Sequence, residues 1–185
     1  RIVVTGMGLV SPYGAGAAAF LDGVREGRCA IGPLDEVDVA GCRCTVGARV
    51  PRLDLTPLGA NARRIPRASQ YALFASQEAL DQAGSHTSPW APERVGVFLG
   101  TCRGMTEVSE QIWSKIIESE PRFVPALLFQ ETVTNAVASA ISIRWGFKGT
   151  NYAISSGNAS GYHVLYLAAN ALRAGRLDAV LAGAF

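Results

Sequence analysis

The chain has 185 residues, of which 49% are hydrophobic and only 17% are charged, and its formal charge is +2. A chain with this many apolar residues is not intrinsically disordered. Its small net charge gives no electrostatic reason to expect nucleic acid or an anionic membrane as a partner. No apolar run approaches the roughly 18–20 residues of a membrane-spanning helix, and the N-terminal residues lack a signal-peptide pattern, so we expect a cytoplasmic globular protein.

Two kinds of predicted element alternate along the chain. Short apolar segments bounded by glycine, proline or polar residues predict strands at 1–5, 44–50, 94–100, 151–155 and 178–184. Helical spacing of apolar residues predicts helices at 15–25, 66–83, 107–119, 130–145 and 160–174, with loops over most of 28–66 and near Pro89 and Pro92. This alternation predicts a layered α/β fold with a mostly parallel sheet.

The predicted helix at 160–174 is apolar nearly all round until Arg173. A helix that covers one face of a sheet normally keeps a polar stripe, whereas a helix that is apolar all round is buried on both sides. The chain offers no obvious second layer for its other face. Together with the low charge, this pattern indicates that a partner, or the rest of a larger fold, covers part of the surface.

Cysteine and histidine patterns give no support for a metal site. Cys42 and Cys44 form a C-x-C pair without a second pair at ligand spacing, and Cys29 and Cys102 stand apart. We expect all four thiols to be buried or half-buried and not in disulfides. We expect His86 on a loop and His163 in a core helix. No cofactor is expected, because Gly6 and Gly8 lack the third glycine of a dinucleotide-binding loop and no phosphate-binding loop is present.

Residues 154–161 predict a strand, a tight turn and a helix, with Asn158 at the apex of the turn. Enzymes use this geometry to expose a nucleophile at a helix N-terminus, where backbone N–H groups stabilise negative charge. An amide is neither a nucleophile nor a general base at neutral pH. A strand, turn and helix with glycine is also common as plain structure, so the residues alone leave both interpretations open.

Several segments together resemble the N-terminal half of a β-ketoacyl synthase, the condensing enzyme of fatty-acid and polyketide assembly. Residues 3–14 read VVTGMGLVSPYG and are similar to the family's V-V-T-G-x-G-x-V-S-P-x-G. The resemblance continues in order through QYAL at 70–73, RVGV at 94–97, Asn135, SSGNASG at 155–161 and AGA at 182–184. It implies a thiolase-like layered αβαβα fold. Residues 1–185 would supply its N-terminal half, a mostly parallel five-stranded sheet with a buried central helix. The other half would lie outside this chain.

The departures from the family pattern concern the site. The family's catalytic cysteine aligns with Asn158, inside an elbow formed by Ser156, Gly157, Ala159, Ser160 and Gly161. Cys102 and Arg103 interrupt the family's G-T-G-x-G-G. The family's catalytic histidines and lysine lie in the other half, and neither His86 nor His163 matches them.

The resemblance therefore implies a non-condensing subunit similar to a chain-length factor. Such a subunit pairs with an active ketosynthase in a heterodimer, shapes the acyl tunnel and works on substrates carried by the phosphopantetheine arm of an acyl carrier protein. The residues expected at the tunnel or the partner are Thr101, Arg103, Phe129, Gln130, Thr132 and Asn135. Three alternatives remain open: a synthase inactivated by the change to Asn158, a malonyl-carrier decarboxylase and a purely structural dimer partner. The segment at 121–130 is equally compatible with a tunnel element and with a packed loop and helix start. For Arg103 a solvated charge is favoured over a contact with the partner.

Overall fold

A computed structural model of the chain describes residues 1–59, 62–84 and 90–185. Its central feature is a parallel sheet of three strands, in which β5 (Val95–Thr101) lies between β6 (Asn151–Ser155) and β7 (Ala179–Ala184). All seven residues of β5 are buried. A strand of uniformly apolar residues is typical of a parallel sheet that is covered on both faces.

Among the described residues, two short antiparallel pairs lie outside this sheet. Strand β1 (Val10–Ser11) pairs with β2 (Gly14–Ala15), and β3 (Ile31–Pro33) pairs with β4 (Val46–Ala48). The helices are α1 (Ala17–Arg25), α2 (Arg67–Gln82), α3 (Thr106–Glu118), α4 (Ala126–Phe129), α5 (Ala136–Trp145) and α6 (Ser160–Arg173). No helix among the described residues combines the length and apolarity needed to cross a membrane.

The two faces of the sheet are covered by different helices. On one side Val97 and Leu99 of β5 pack in a cluster with residues of α2, α3 and α5. On the other side Phe98 packs with Val164 and Ala168 of α6. Alternate β5 residues point to opposite faces, so this single strand contributes to both clusters and forms the centre of the core.

The mostly parallel sheet is confirmed, but the expected number of strands is wrong. Over the described ranges 1–59, 62–84 and 90–185, the parallel sheet has three strands rather than five. The segment predicted as a strand at 1–5 forms no ladder, and Val4 is 80% exposed. The strand predicted at 44–50 is limited to β4, in a separate hairpin. An apolar, β-branched segment looks like a strand in the sequence, but it becomes one only where a neighbouring strand is available.

The segment that follows the N-terminal residues runs against α2 instead. The N–H groups of Met7 and Leu9 donate hydrogen bonds to the side chains of Gln82 and Glu78, at 3.0 and 2.9 Å. A Cβ atom at Gly8 would lie only 1.7 Å from the carbonyl oxygen of Ala75. Glycine is therefore required at this crossing, because any side chain would collide with the backbone of α2.

The helix predicted over 130–145 is also wrong in its first part. The structure has the single turn of α4 before it, then turns through 130–135, and α5 begins only at Ala136. The hydroxyl of Thr132 donates a hydrogen bond to the carbonyl of Phe129 at 2.7 Å. A threonine side chain that bonds to a nearby backbone carbonyl favours a turn over a continuing helix. The residues beside the site are therefore presented by turns.

Helix α6 buries one face, not both. Ser160, Val164 and Ala168 are buried against the sheet, whereas Tyr162, Leu165 and Tyr166 are 78%, 56% and 64% exposed. His163, expected in the core, is exposed as well. Among the described residues, no second layer covers this apolar face. The outer face of α6 is therefore exposed in this chain and not buried as expected.

Candidate functional site

The site lies where two neighbouring parallel strands end. Thr101, the last residue of β5, is in register with Ser155, the last residue of β6. The chain segments that follow these strands therefore start side by side, at the carboxyl edge of the sheet, where ligands bind in open α/β folds. One segment carries Cys102 and Arg103, and the other carries the elbow with Asn158.

The strand, turn and helix expected at 154–161 are present. Gly157 has φ = 57°, which lies in the left-handed region that favours glycine. Asn158 and Ala159 follow it, both exposed, and α6 begins at Ser160. The turn thus presents the Asn158 side chain to solvent beside the N-terminal end of a helix of 14 residues.

Ser160 holds the elbow against β5. It is only 3% exposed, and its Oγ accepts a hydrogen bond from the N–H of Ser156 at 2.8 Å. The same hydroxyl lies within donating distance of the carbonyl oxygens of Thr101 and Gly157, at 2.8 and 2.6 Å. A Cβ atom at Gly100 would lie 2.6 Å from the carbonyl oxygen of Ser160, so this glycine permits the close approach. One buried side chain thereby connects both loops of the site.

Replacing Ser160 with alanine is expected to lower the free energy of unfolding by about 1–3 kcal/mol, because the N–H of Ser156 then loses its buried partner. The control is Ser119→Ala, because Ser119 is exposed at the C-terminal end of α3. Urea unfolding of both variants measures the difference. Equal stabilities would contradict the role of Ser160 as a fixed connection between the two loops.

The thiol of Cys102 contacts the amide of Asn158. Its Sγ lies 3.6 Å from Oδ1 of Asn158, close enough to donate a weak hydrogen bond. The sequence interpretation treats Cys102 as an ordinary thiol and misses this contact. The sequence carries only part of the signal for it: the strand pattern predicts a parallel sheet, but not that these two strands are neighbours in it. A thiol therefore lies beside, but not at, the apex of the elbow.

The expected burial of the four thiols is wrong. Cys29, Cys42, Cys44 and Cys102 are all exposed and all free. Cys29 precedes β3, Cys42 and Cys44 lie in the connection between β3 and β4, and Cys102 lies in the loop after β5. These segments do not enter either side of the core. Over the described residues, no group of three or more histidine, cysteine, aspartate or glutamate side chains could hold a metal ion.

Two hydrogen bonds within the segment 101–106 fix the conformation of the loop that follows β5. Thr101 is 2% exposed, and its hydroxyl accepts a hydrogen bond from the N–H of Gly104 at 2.9 Å. The hydroxyl of Thr106 donates to the carbonyl of Arg103 at 2.9 Å. Gly104 has φ = 64°, a left-handed conformation that lets the loop turn back. Thr101 therefore shapes the loop from inside, while Cys102 and Arg103 are displayed on its exposed side.

Of the other expected tunnel residues, Phe129 is the last residue of α4, and Gln130, Thr132 and Asn135 lie on the turns between α4 and α5. Phe129, Gln130 and Asn135 are exposed, and Thr132 is half-buried. A Cβ atom at Gly104 would lie 3.3 Å from Cγ2 of Thr134, so these turns contact the loop of the site. The structure thus brings the 129–135 segment, the 101–104 loop and the elbow into one neighbourhood. His163 lies on the exposed face of α6, and His86 lies outside the described residues.

Known proteins resemble this chain over its whole length. Residues 1–185 match the family model for the N-terminal domain of β-ketoacyl synthases. The chain is 30% identical to the tetracenomycin polyketide synthase ketoacyl synthase alpha subunit of Streptomyces glaucescens, covering 100% of this chain and 45% of that protein. It is also 30% identical to the chloroplastic 3-oxoacyl-[acyl-carrier-protein] synthase I of Hordeum vulgare, over 99% of this chain and 41% of that protein.

Solved structures share this fold. The ishigamide ketosynthase/chain length factor superposes with a TM-score of 0.82 at 29% identity, covering 98% of this chain and 51% of that one. The AntDE ketosynthase, in complex with its type II acyl carrier protein AntF, superposes with a TM-score of 0.83 at 24% identity, covering 100% of this chain and 45% of that one. The chain thus spans less than half the length of the curated relatives above.

Proposed function

Because this chain belongs to the β-ketoacyl synthase family and matches the N-terminal domain of that family, we propose that it is half of a non-condensing subunit of the chain-length-factor type. The subunit pairs with an active ketosynthase and helps to shape the tunnel for the growing acyl chain. Its substrates are acyl and malonyl groups on the phosphopantetheine arm of an acyl carrier protein. The decisive observation is Asn158 at the apex of an otherwise intact elbow.

The chemistry of condensation excludes Asn158 as the acyl acceptor. A condensing enzyme forms a thioester between the acyl group and a cysteine, and an amide nitrogen does not attack a thioester at neutral pH. The amide can instead occupy the space of a thioester carbonyl and keep the shape of the site. Its contact with the thiol of Cys102, at 3.6 Å, is consistent with an inert polar group in that place.

The exposed face of α6 supports the proposal that a second half completes the fold. Tyr162, Leu165 and Tyr166 form an apolar surface on a helix whose other face already lies on the sheet. In the proposed arrangement the central helix of the second half covers this surface. The relatives, which are about twice as long, have the length for such a second half.

Reconstitution tests the function. The protein is assayed alone and together with candidate ketosynthases, with acyl carrier protein and a malonyl donor. We expect condensation only in the presence of an active ketosynthase. Condensation by this protein alone would contradict the proposal. Formation of acetyl-carrier from malonyl-carrier by the protein alone would instead favour the decarboxylase alternative.

Phe129→Ala is expected to shift the product distribution towards longer chains without loss of the complex, because removing the ring widens a tunnel that it helps to line. Leu127→Ala is the matched control, since both side chains are apolar and lie on α4, 69% and 75% exposed. Mass spectrometry of the products and size-exclusion chromatography of the complex measure the two effects. Loss of the complex with unchanged products would favour the purely structural partner, and equal shifts from both variants would contradict a specific role of Phe129.

A further inference from the structure

Two exposed thiols lie close together in the connection between β3 and β4. Cys42 and Cys44 are both free, and only Arg43 separates them in the chain. The chain bends at Arg43. Two thiols on one short segment can react with the same molecule, which a single thiol cannot do. The function proposed above makes no use of this pair.

Backbone hydrogen bonds fix the chain on both sides of the pair. The N–H of Cys42 donates to the carbonyl of Val39 at 2.9 Å, which closes a four-residue turn whose third residue, Gly41, has φ = 76°. A positive φ at this position is typical of a type II turn. On the other side of the pair, the N–H of Leu34 donates to the carbonyl of Thr45 at 3.0 Å. The two thiols are therefore carried by a short segment that is held at both ends.

The spacing of the pair is compatible with a disulfide bond. Successive Cα atoms lie about 3.8 Å apart, so two residues separated by one other are at most about 7.6 Å apart, and closer where the chain bends. Disulfides usually join Cα atoms that are about 4.4–6.8 Å apart. Because the chain bends at Arg43, a bond between Cys42 and Cys44 requires a local adjustment and no movement of the hairpin.

The register of the hairpin separates Cys44 from Cys29. Cys29 lies two residues before β3, and Cys44 lies two residues before β4. The strands are antiparallel, with Pro33 opposite Val46, so a ladder of three residue pairs lies between the two thiols. Their local settings are otherwise alike: Sγ of Cys29 lies 4.0 Å from the carbonyl oxygen of Ile31, and Sγ of Cys44 lies 3.2 Å from that of Val46. Cys29 is therefore a matched control for Cys44.

We propose that Cys42 and Cys44 form a reversible dithiol site that exchanges with small disulfides such as glutathione disulfide. One protein thiolate attacks a sulfur of the small disulfide, so that a mixed disulfide forms and one small thiol leaves. The second protein thiolate attacks the protein sulfur of the mixed disulfide, the ring closes, and the second small thiol leaves. The two protein thiols are oxidised, the small disulfide is reduced to two thiols, and these thiols take up the two protons.

The size of the ring makes this bond easy to reduce again. Only one residue lies between the two cysteines, so the ring departs from the geometry that disulfides prefer, and strained or exposed disulfides are the labile ones. Closing so short a loop also removes little entropy from the unfolded chain, so the bond adds little stability. The site therefore responds to the ratio of small thiol to small disulfide. It shares no residue with the proposed chain-length function, and either proposal can fail without the other.

Equilibration of the purified protein in glutathione buffers tests the site. The protein is incubated at a series of ratios of glutathione to glutathione disulfide, free thiols are trapped with excess N-ethylmaleimide, and the intact mass is measured. The reduced chain has four free thiols to trap. We expect oxidation to produce a species that has lost two of them and carries no glutathione. Its share should rise with the proportion of glutathione disulfide and vanish after addition of a reductant.

Two variants identify the pair. Cys29→Ser, the matched control, should undergo the same loss of two thiols at the same glutathione ratios. Cys44→Ser should not form the internal bond at all and should instead keep a glutathione mixed disulfide on Cys42. Both residues are exposed, so we expect both variants to stay folded, which thermal melting measures.

Several results would overturn the proposal. One is the absence of any species with an internal disulfide, and another is the loss of that species in Cys29→Ser. A third is the formation of disulfide-linked dimers in place of the internal bond, which non-reducing electrophoresis detects, because the thiols would then react between molecules and not within the segment.

Discussion

Asn158→Cys, made in a Cys102→Ala background, is expected to convert the apex of the elbow from an inert amide into a thiol that accepts acyl groups. The new thiol stands beside the N-terminal end of α6, where the helix dipole and free N–H groups favour the thiolate. The thiolate attacks the carbonyl of an acyl thioester, the acyl–cysteine bond forms, and the original thiol leaves with a proton. Intact-protein mass spectrometry should show acylation rising from undetectable to nearly complete.

The Cys102→Ala background is necessary because the thiol of Cys102 lies 3.6 Å from the side chain of Asn158. Two cysteines at these positions would compete for the acyl group or form a disulfide. The matched control is Asn158→Ala in the same background, which changes the same position without adding a thiol. A folded cysteine variant that takes up no acyl group would refute the assignment of Asn158 to the nucleophile position.

The same variant separates two interpretations of the missing nucleophile. If the restored cysteine also supports condensation, with the second half of the fold present, the protein is a synthase that differs from an active one by a single side chain. If acylation occurs without condensation, other parts of the site have also diverged, as the chain-length-factor proposal expects.

Leu165→Asp is expected to destabilise the assembled protein by more than about 3 kcal/mol, because the substitution places a carboxylate where apolar surface is covered. Leu165 is 56% exposed in this chain and lies on the outer face of α6. The comparison is Leu21→Asp on α1, where the leucine is 45% exposed. If this chain stood alone, Leu21→Asp should lower the free energy of unfolding at least as much as Leu165→Asp does. If a second layer covers α6, Leu165→Asp should lower it more.

Urea unfolding of the assembled protein measures both variants. A larger effect of Leu165→Asp supports a second layer on α6, and a loss of association on size-exclusion chromatography would identify a separate chain as the cover. An equal or smaller effect of Leu165→Asp than of Leu21→Asp would show that the outer face of α6 stays in water, and the proposed second half would then have to lie elsewhere.

Local sequence patterns predict part of the fold well. The strand at 151–155 and the helix at 66–83 are located to within about a residue, because periodic apolar spacing and a terminal glycine act within the segment itself. The strand expected at 1–5 is wrong, because strand formation depends on a partner elsewhere in the chain. The helix expected from residue 130 is wrong because side-chain bonds such as that of Thr132 compete locally with helix formation.

The sequence by itself determined which chemistry the elbow lacks. The amide of Asn158 does not accept an acyl group from a thioester at neutral pH, and the glycine beside it already indicates a tight turn. The excess of apolar residues on the helix after it is the feature of the sequence on which the proposal of a covering layer rests.

Only the tertiary structure decided which residues surround that elbow. The parallel pairing of β5 with β6 brings Cys102 to Asn158 across 56 positions of sequence, and Gly104 to the turn at Thr134. Such contacts depend on strand register and on helix packing, which join segments far apart in the chain, and no local pattern of residues encodes them.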